Sequence, residues 1–375
     1  MVTAMQTSGV KKTSGAVTAA ELQDLLSSLG IAEDLDCSGL DLGTLAVKSG
    51  IVSRTRFTDA VFTGSRLESL IVSKADMTGT RWTGTAPRMT AFVKCDFTGA
   101  DFTGVDLEMC AFTACSFAGA RFDGARIFRC AFSDCDLTGS RFAGASLTES
   151  SLMGGTLGNA DLSGAELLGV TLHKPDFAVL GLAGTRFIRC AFIEGSAVGQ
   201  NLSGFSFPQC NFLDCALDGA VFEGCDLTQA VFMNAALRGA RLDRSLAPRS
   251  LFTGADLTGA SFRMANLMQA NFQNANLTWA DFSGSYLEQA QFGAATCQGT
   301  AFSDCNLITA DFAGANLTGA RVLNAQLHRT SLHNIIETDS VWTGSNRNSA
   351  LGTDPHRKEA EDFTPLARRH VPPTT

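Results

Sequence analysis

The chain has 375 residues, enough for two or three ordinary domains, so internal repeats are sought before domains are counted. Hydrophobic residues make up 45% of it and charged residues only 18%, with 27 Phe against one Tyr, a composition too apolar for intrinsic disorder. The net charge is −8, with 26 acidic and 22 basic residues over residues 37–335, and no region is basic enough to predict direct nucleic-acid binding.

The N-terminus carries no recognisable export or membrane signal. Lys11 and Lys12 are not followed by the continuous apolar run of a secretory signal, and residues 1–17 are expected to be flexible. The chain also has no apolar stretch of about 18 residues, the length needed to cross a bilayer. We therefore expect a cytoplasmic protein that does not associate with membranes.

The first predicted element is a short capping helix. Thr18 and Glu21 have the spacing of a capping box, and Gly30 suits the position after the last turn. The apolar positions of one helical face are Leu22, Leu25, Leu26 and Leu29. The sequence predicts a helix over 19–29, within an entry segment 18–36, that covers one end of the following core; a docking helix for a partner is the alternative.

From Phe57 to Leu332 a large apolar residue recurs at every fifth position. Of the 56 positions in this series, 52 are Leu, Phe, Ile, Val, Met or Trp, a period that neither an α-helix nor an ordinary strand generates. A small residue stands two positions earlier, as at Ala100 and Ala120. The pattern indicates a chain that turns every five residues with two side chains pointing inward.

The repeat units resemble the A(D/N)LXX motif of the pentapeptide-repeat family. Representative units begin at Ala255, Ala275 and Ala315, and the resemblance covers roughly 300 residues. It implies an all-β fold, a right-handed quadrilateral parallel β-helix with four pentapeptides per coil. Residues 37–335 would then form about 15 coils stacked about 4.8 Å apart.

Two regions depart from the pattern. Between Pro175 and Phe205 bulky residues replace small ones while Ala197 replaces a large one, which indicates either local repacking or a bend shaped for a partner. After Leu332 the frame fades, with Trp342 as its last large residue, and residues 336–375 are expected to be a mostly flexible tail with a short helix near 358–362. Either Trp342 and its neighbours or a second copy would cover that end.

The candidate chemical groups follow the repeat and predict no catalytic, cofactor-binding or metal site. Ten of the 12 Cys occupy the small inward position, which favours buried, reduced thiols over disulfides. The five His residues have no recognisable metal-ligand spacing. The Asp residues before the large positions recur too regularly to be paired catalytic carboxylates, so they are interpreted as face or turn residues.

A 20-residue stacking brings apolar residues together on one outer face. The candidate interaction surface consists of Ile193, Leu213, Val231, Met233 and Leu251. Such a face can simply strengthen the sheet, or it can bind a partner. A homodimer through this face or through the C-terminal end is a further hypothesis.

The leading functional hypothesis is a non-enzymatic scaffold or interaction module for an unidentified protein. Two alternatives come from the family resemblance. Some pentapeptide-repeat proteins mimic DNA and protect DNA gyrase, a topoisomerase, but a net charge of −4 over residues 37–335 disfavours this mechanism. Others occur as accessory or delivered components of bacterial secretion systems, which nothing in these residues singles out.

Overall fold

The backbone turns every five residues at the position two after each large inward residue. A computed structural model describes residues 15–362, and in it Gly99, two after Phe97, has φ +67°, in the left-handed region that glycine adopts without steric cost. Non-glycine residues at the same position, such as Asp134 with φ 54°, have the same conformation. Four such turns return the chain to its starting side.

The structure has short parallel strands and two helices. Helix α1 is Ala19–Ser28 and α2 is Pro355–Asp362, with a short 3₁₀ turn at Arg347–Ser349. The strands are β1 Gly15–Ala16, β2 Ile31–Glu33, β3 Leu35–Asp36, β4 Ala46–Val47, β5 Gly50–Ser53, β6 Arg66–Leu67, β7 Leu70–Ser73, β8 Ala91–Val93, β9 Asp106–Glu108, β10 Ala111–Thr113, β11 Arg126–Phe128, β12 Ala131–Ser133, β13 Ser146–Thr148, β14 Ser151–Met153, β15 Glu166–Leu168, β16 Thr171–His173, β17 Arg186–Ile188 and β18 Ala191–Ile193. They form a nine-stranded sheet (β2, β5, β7, β8, β10, β12, β14, β16, β18), a five-stranded sheet (β9, β11, β13, β15, β17) and two pairs (β1 with β3, β4 with β6).

Every coil pairs with the next in a 20-residue register. Ile31 pairs with Ile51 in the sheet, and single bridges keep the same step as far as Ser331 and Leu351. The predicted four-sided parallel β-solenoid is confirmed. Its longest sheet has nine strands, fewer than the expected number of about 15 coils, because not every coil contributes a strand. Beyond Ile193 each side contributes a single bridging residue per coil, too short to be a strand.

The core is a stack of the large inward side chains. All 56 positions of the series from Phe57 to Leu332 are buried, the four exceptions to the large-residue rule included. Phenylalanine rings 20 residues apart stack face to face, as for Phe102 and Phe122, whose centroids lie 4.8 Å apart. Such dense packing along the axis makes the inside of the solenoid one continuous core.

The small inward position also completes the backbone hydrogen bonding. The Thr185 hydroxyl donates to the Leu162 carbonyl 23 residues earlier at 2.8 Å, and the Cys190 thiol donates to the Leu167 carbonyl at 3.3 Å. Ser150 makes the same contact with the Ile127 carbonyl at 3.3 Å. Ser, Thr and Cys therefore satisfy a buried acceptor of the preceding coil, which Ala cannot do.

The predicted N-terminal capping helix is confirmed. The Thr18 hydroxyl accepts from the Glu21 amide at 3.2 Å while the Glu21 carboxylate accepts from the Thr18 amide at 2.7 Å, which completes the capping box. Leu22 and Leu26 are buried against the first coil. Leu29 is 49% exposed, contrary to its predicted place on the buried face, because the helix ends at Ser28 and Leu29 is its C-cap.

At the C-terminal end the stacking continues past residue 335. Ile336, Val341 and Leu351 still bridge to the preceding coil, and Trp342 packs against the core with the Arg347 guanidinium 4.6 Å from its ring centroid. Helix α2 follows, held by polar contacts such as Lys358 Nζ to Asn334 Oδ1 at 2.9 Å. The remaining expectations of flexible ends, for residues 1–14 and 363–375, lie outside the described residues.

The irregular stretch interrupts the ladder on three of the four sides. In the described part of the chain no bridge joins the expected pairs Thr156–Asp176, Gly181–Asn201 and Arg186–Ser206. Leu180 and Phe205, standing at small positions, pack partly buried against the core, while Ala197 is fully buried. Gly155, just before the interruption, allows a close approach of two coils, since a Cβ atom there would lie 1.9 Å from the Cys135 carbonyl oxygen.

Phe112→Ala tests the axial packing. Phe112 is fully buried and stacks on Phe92 and Phe132, so its truncation is expected to lower the free energy of unfolding by about 3–5 kcal/mol in urea titrations. Phe128 is the control, because it points outward and contacts the Arg129 guanidinium at 4.8 Å from its ring centroid. Phe128→Ala is expected to cost less than about 1 kcal/mol; equal losses would contradict an axial stack.

Candidate interaction surface

One side of the solenoid has an unbroken ladder from its first coil to its last. We call it the continuous face, and its two outward columns are the Ile31 column (31, 51, 71 and onward in steps of 20) and the Glu33 column (33, 53, 73 and onward). Each residue of the Ile31 column pairs with the next, from Ile31 at one end to Leu351 at the other. The ladder interruptions near residues 156–206 fall on the other three sides.

The inward Phe residues beneath the continuous face stack in register. The rings of Phe212 and Phe232 are 2° from parallel, those of Phe232 and Phe252 3°, and those of Phe252 and Phe272 2°. The outward columns above them follow the same 20-residue register, so side chains of successive coils lie side by side on this face.

This face also lacks charge over most of its length. From Ile51 to Gly293 neither column contains Asp, Glu, Lys or Arg. Most ion pairs lie on other sides, for example Arg126 with Asp106 at 3.2 Å and Arg238 with Asp218 at 2.6 Å, although His173 of the Glu33 column lies 3.9 Å from Glu194 at the adjoining corner. A strip without Asp, Glu, Lys or Arg beside charged sides costs little free energy to desolvate.

The five residues of the candidate interaction surface lie together on this face. Ile193, Leu213 and Met233 belong to the Glu33 column on successive coils, and Val231 bridges directly to Leu251 in the Ile31 column. Ile193 and Leu213 are 38% and 40% exposed, and the other three are half-buried. One polar residue, Asn211, interrupts the cluster, and its Oδ1 accepts from the Leu213 amide at 2.9 Å.

A second apolar cluster on the same face was missed by the sequence reasoning. Ile31, Ile51 and Ile71 stack in register and are 44–51% exposed. Met89 and Met109, at the corner beside them, are 47% and 50% exposed. Extending the 20-residue column back past Phe57 would have revealed the isoleucines, because they stand in phase with Ala91.

The recurring Asp and Asn residues act in the turns. Asp161 Oδ1 accepts from the Ser163 amide at 3.0 Å, and Asn276 Oδ1 accepts from the Thr278 amide at 3.2 Å. Hydrogen bonds from the Ser163 hydroxyl and amide lower the pKa of Asp161. These carboxylates are therefore occupied in holding the backbone.

The cysteines are all unpaired and buried. Burial raises the thiol pKa of Cys215 to about 11 and that of Cys225 to about 11, and both thiols donate to carbonyls of the preceding coil. Such thiols are poor nucleophiles. Among residues 15–362, no group of three or more His, Cys, Asp or Glu side chains could hold a metal ion.

The interruption of the ladder leaves a shallow depression of 540 Å³ next to Phe205. Ile188 and Pro208 also line it, and Arg186 at its rim is paired with Glu166 at 3.2 Å. It lies outside the continuous face. Within the described ranges no helix is long and apolar enough to cross a membrane.

Two family models match the sequence. The pentapeptide repeat region model matches residues 105–177, and the model of eight-copy pentapeptide repeats matches residues 210–246, 250–289 and 295–334. Together these segments make up half of the chain. No curated protein matches it.

Several solved structures are similar. HetL, a pentapeptide repeat protein involved in heterocyst differentiation regulation from the cyanobacterium Nostoc sp. strain PCC 7120, is 22% identical, with 57% of this chain and 90% of HetL covered and a TM-score of 0.22. Full-length QnrB1, a plasmid-mediated fluoroquinolone resistance protein, is 20% identical, with 56% and 91% covered and a TM-score of 0.18. The Arabidopsis thaliana thylakoid lumen protein AT2G44920 is 26% identical, with 29% and 69% covered and a TM-score of 0.14.

The buried thiols predict a fall in stability at alkaline pH. Folding raises the pKa of Cys215 and Cys225 from the ordinary 9.0 to about 11. Their contribution to the free energy of unfolding is therefore complete below pH 9.0 and is lost as the pH rises toward 11. Each thiol should account for about 2 kcal/mol of this loss. Urea titrations between these pH values should show that the free energy of unfolding falls less for the variant Cys215→Ala with Cys225→Ala than for the unaltered chain. The same dependence of this free energy on pH in both proteins would contradict the assignment.

Proposed function

Since the chain belongs to the pentapeptide-repeat family, we propose that it is a non-enzymatic interaction module that binds a protein partner through its continuous face. The observation that carries this proposal is a continuous strip free of Asp, Glu, Lys and Arg from Ile51 to Gly293, beside sides that carry ion pairs. A scaffold needs a rigid surface, and the axial stack supplies rigidity.

The proposed contact centre is the cluster Ile193, Leu213, Val231, Met233 and Leu251. Its apolar side chains occupy both outward columns on neighbouring coils, so a partner can cover them at once. Backbone groups beneath them are already paired within the ladder, so binding would rest on side-chain contacts rather than on an added strand. The Asn211 side chain is held by the Leu213 amide and adds a polar point of contact.

The surface charges give DNA mimicry less support. Acidic side chains on the other sides are interleaved with arginines, as Glu223 is with Arg241 at 3.0 Å and Arg244 at 3.4 Å. A mimic of DNA needs a dense and unbalanced negative surface. A protein partner on the uncharged face fits the distribution of charge better.

The unpaired thiols support a cytoplasmic location. All 12 cysteines are free, and several stack on successive coils, as Cys95, Cys115 and Cys135 do. Oxidising compartments favour disulfides, whereas reduced thiols persist in the cytoplasm.

Leu213→Glu with Met233→Glu tests the proposed contact centre. Carboxylates at these positions should weaken partner binding at least about tenfold, because the partner would have to desolvate them. Leu246→Glu is the matched control, since Leu246 is 43% exposed on a neighbouring side. The tagged chain and both variants are used to recover partners from the native host, with quantification by mass spectrometry.

A specific partner should be retained by the chain with Leu246→Glu and lost with the double substitution. Thermal unfolding checks that both variants keep the solenoid, since the altered side chains point outward. Equal recovery of every partner by the two variants would contradict the proposed contact centre.

A further inference from the structure

The first eight coils of the continuous face have an ordered sequence of side-chain sizes. The Ile31 column runs from large to small, in the order Ile31, Ile51, Ile71, Ala91, Ala111, Ala131, Ser151 and Thr171. After Glu33, the Glu33 column has its small members first and its largest members last, in the order Ser53, Ser73, Val93, Thr113, Ser133, Met153 and His173. From the second coil to the eighth, the largest residues of the two columns therefore lie at opposite ends of the same face.

Opposed gradients make this face complementary to a second copy of itself. A two-fold axis along the strand direction, between Ala91 and Ala111, reverses the coil order and turns the two faces toward each other. Ile71 then lies over Ala131 of the second copy, and Ile51 over Ser151 of the second copy. Ser53 receives Met153 of the second copy, so large side chains meet small ones at these positions of both columns. At the two ends of the surface Glu33 faces His173 of the second copy.

The corner residues match under the same rotation. Met89 and Met109, half-exposed on one edge, come to lie opposite each other across the axis. On the other edge Lys74 faces Asp134 of the second copy. Both are exposed, and neither has an ion-pair partner among residues 15–362.

The size of the surface is adequate for a reversible dimer. Eight coils at about 4.8 Å each, across five residue steps of about 3.3 Å from the Leu29 corner to the Asp34 corner, cover roughly 600 Å² per copy. Stable specific interfaces bury about 800 Å² per partner, so this smaller area fits a weak, reversible dimer, and the test covers the micromolar range.

We propose that two copies of this chain associate face to face and antiparallel through the first eight coils of the continuous face, with Ala91 and Ala111 at the centre. Alanine at the centre lets the two sheets approach, while the isoleucines and methionines fill the flanks. The surface is separate from the contact centre at residues 193–251, so the two proposals fail independently.

Sedimentation velocity of the full chain between about 1 and 100 μM tests the dimer. The unaltered chain should pass from monomer to dimer in this range. Ala91→Glu places a carboxylate at the centre and should weaken association at least about tenfold, and Lys74→Glu should weaken it through repulsion by Asp134 of the second copy. Adding Asp134→Lys to Lys74→Glu should restore association, because the charge pair is reversed.

Arg81→Glu is the matched control, an exposed cation at the same coils on the opposite side, and should leave association unchanged. Leu213→Glu with Met233→Glu should also leave it unchanged, which separates this dimer from partner binding. A monomer throughout the range, a dimer indifferent to Ala91→Glu, or a charge reversal that fails to restore association would each overturn the proposal.

Discussion

The structure depends on closing each coil in 20 residues around four large inward side chains. Over most of the stack, closure places the backbone groups of one coil opposite their partners in the next, as Phe212 N–H donates to the Val231 carbonyl at 2.7 Å. It also places each aromatic ring on the one below it, at 4.9 Å for Phe212 and Phe232. A change of one residue in the repeat length would break both sets of contacts together, which explains why the frame runs unbroken from Phe57 to Leu332.

Closing the coils also engages thiols and carboxylates, which could otherwise act as nucleophiles or ligands, in internal hydrogen bonds. Buried thiols donate to carbonyls of the preceding coil, as Cys190 does, and turn carboxylates such as Asp161 accept from the backbone. A partner can therefore bind only to the outward side chains, whose positions repeat at a fixed spacing along the solenoid. The continuous face is where this repetition is neither charged nor interrupted, and both proposed surfaces lie on it.

The irregular stretch between Pro175 and Phe205 shows how the solenoid absorbs poor repeats. Bulky Leu180 and Phe205 pack partly buried against the core while the small Ala197 is fully buried, and the ladder opens on three sides while the fourth stays paired through Thr171 and Ala191. The retained ladder keeps the two halves of the solenoid in one register. The large inward positions therefore stay buried through this stretch although some backbone pairing is lost.

The sequence by itself determined the five-residue period, the inward residues, the capping box at Thr18 and the 20-residue columns. The capping box depends only on residues close in the chain, and the other three features follow from the strict repeat. The sequence also brought Leu213 and Met233 to one face, since stacking follows from the repeat length alone. Only the tertiary structure decided that Leu29 is exposed, that one side keeps its ladder through the irregular stretch, and that stacking continues to Leu351. These outcomes depend on how the ends of the stack are covered and on which side keeps its hydrogen bonds, and both are settled by contacts between coils rather than within a repeat.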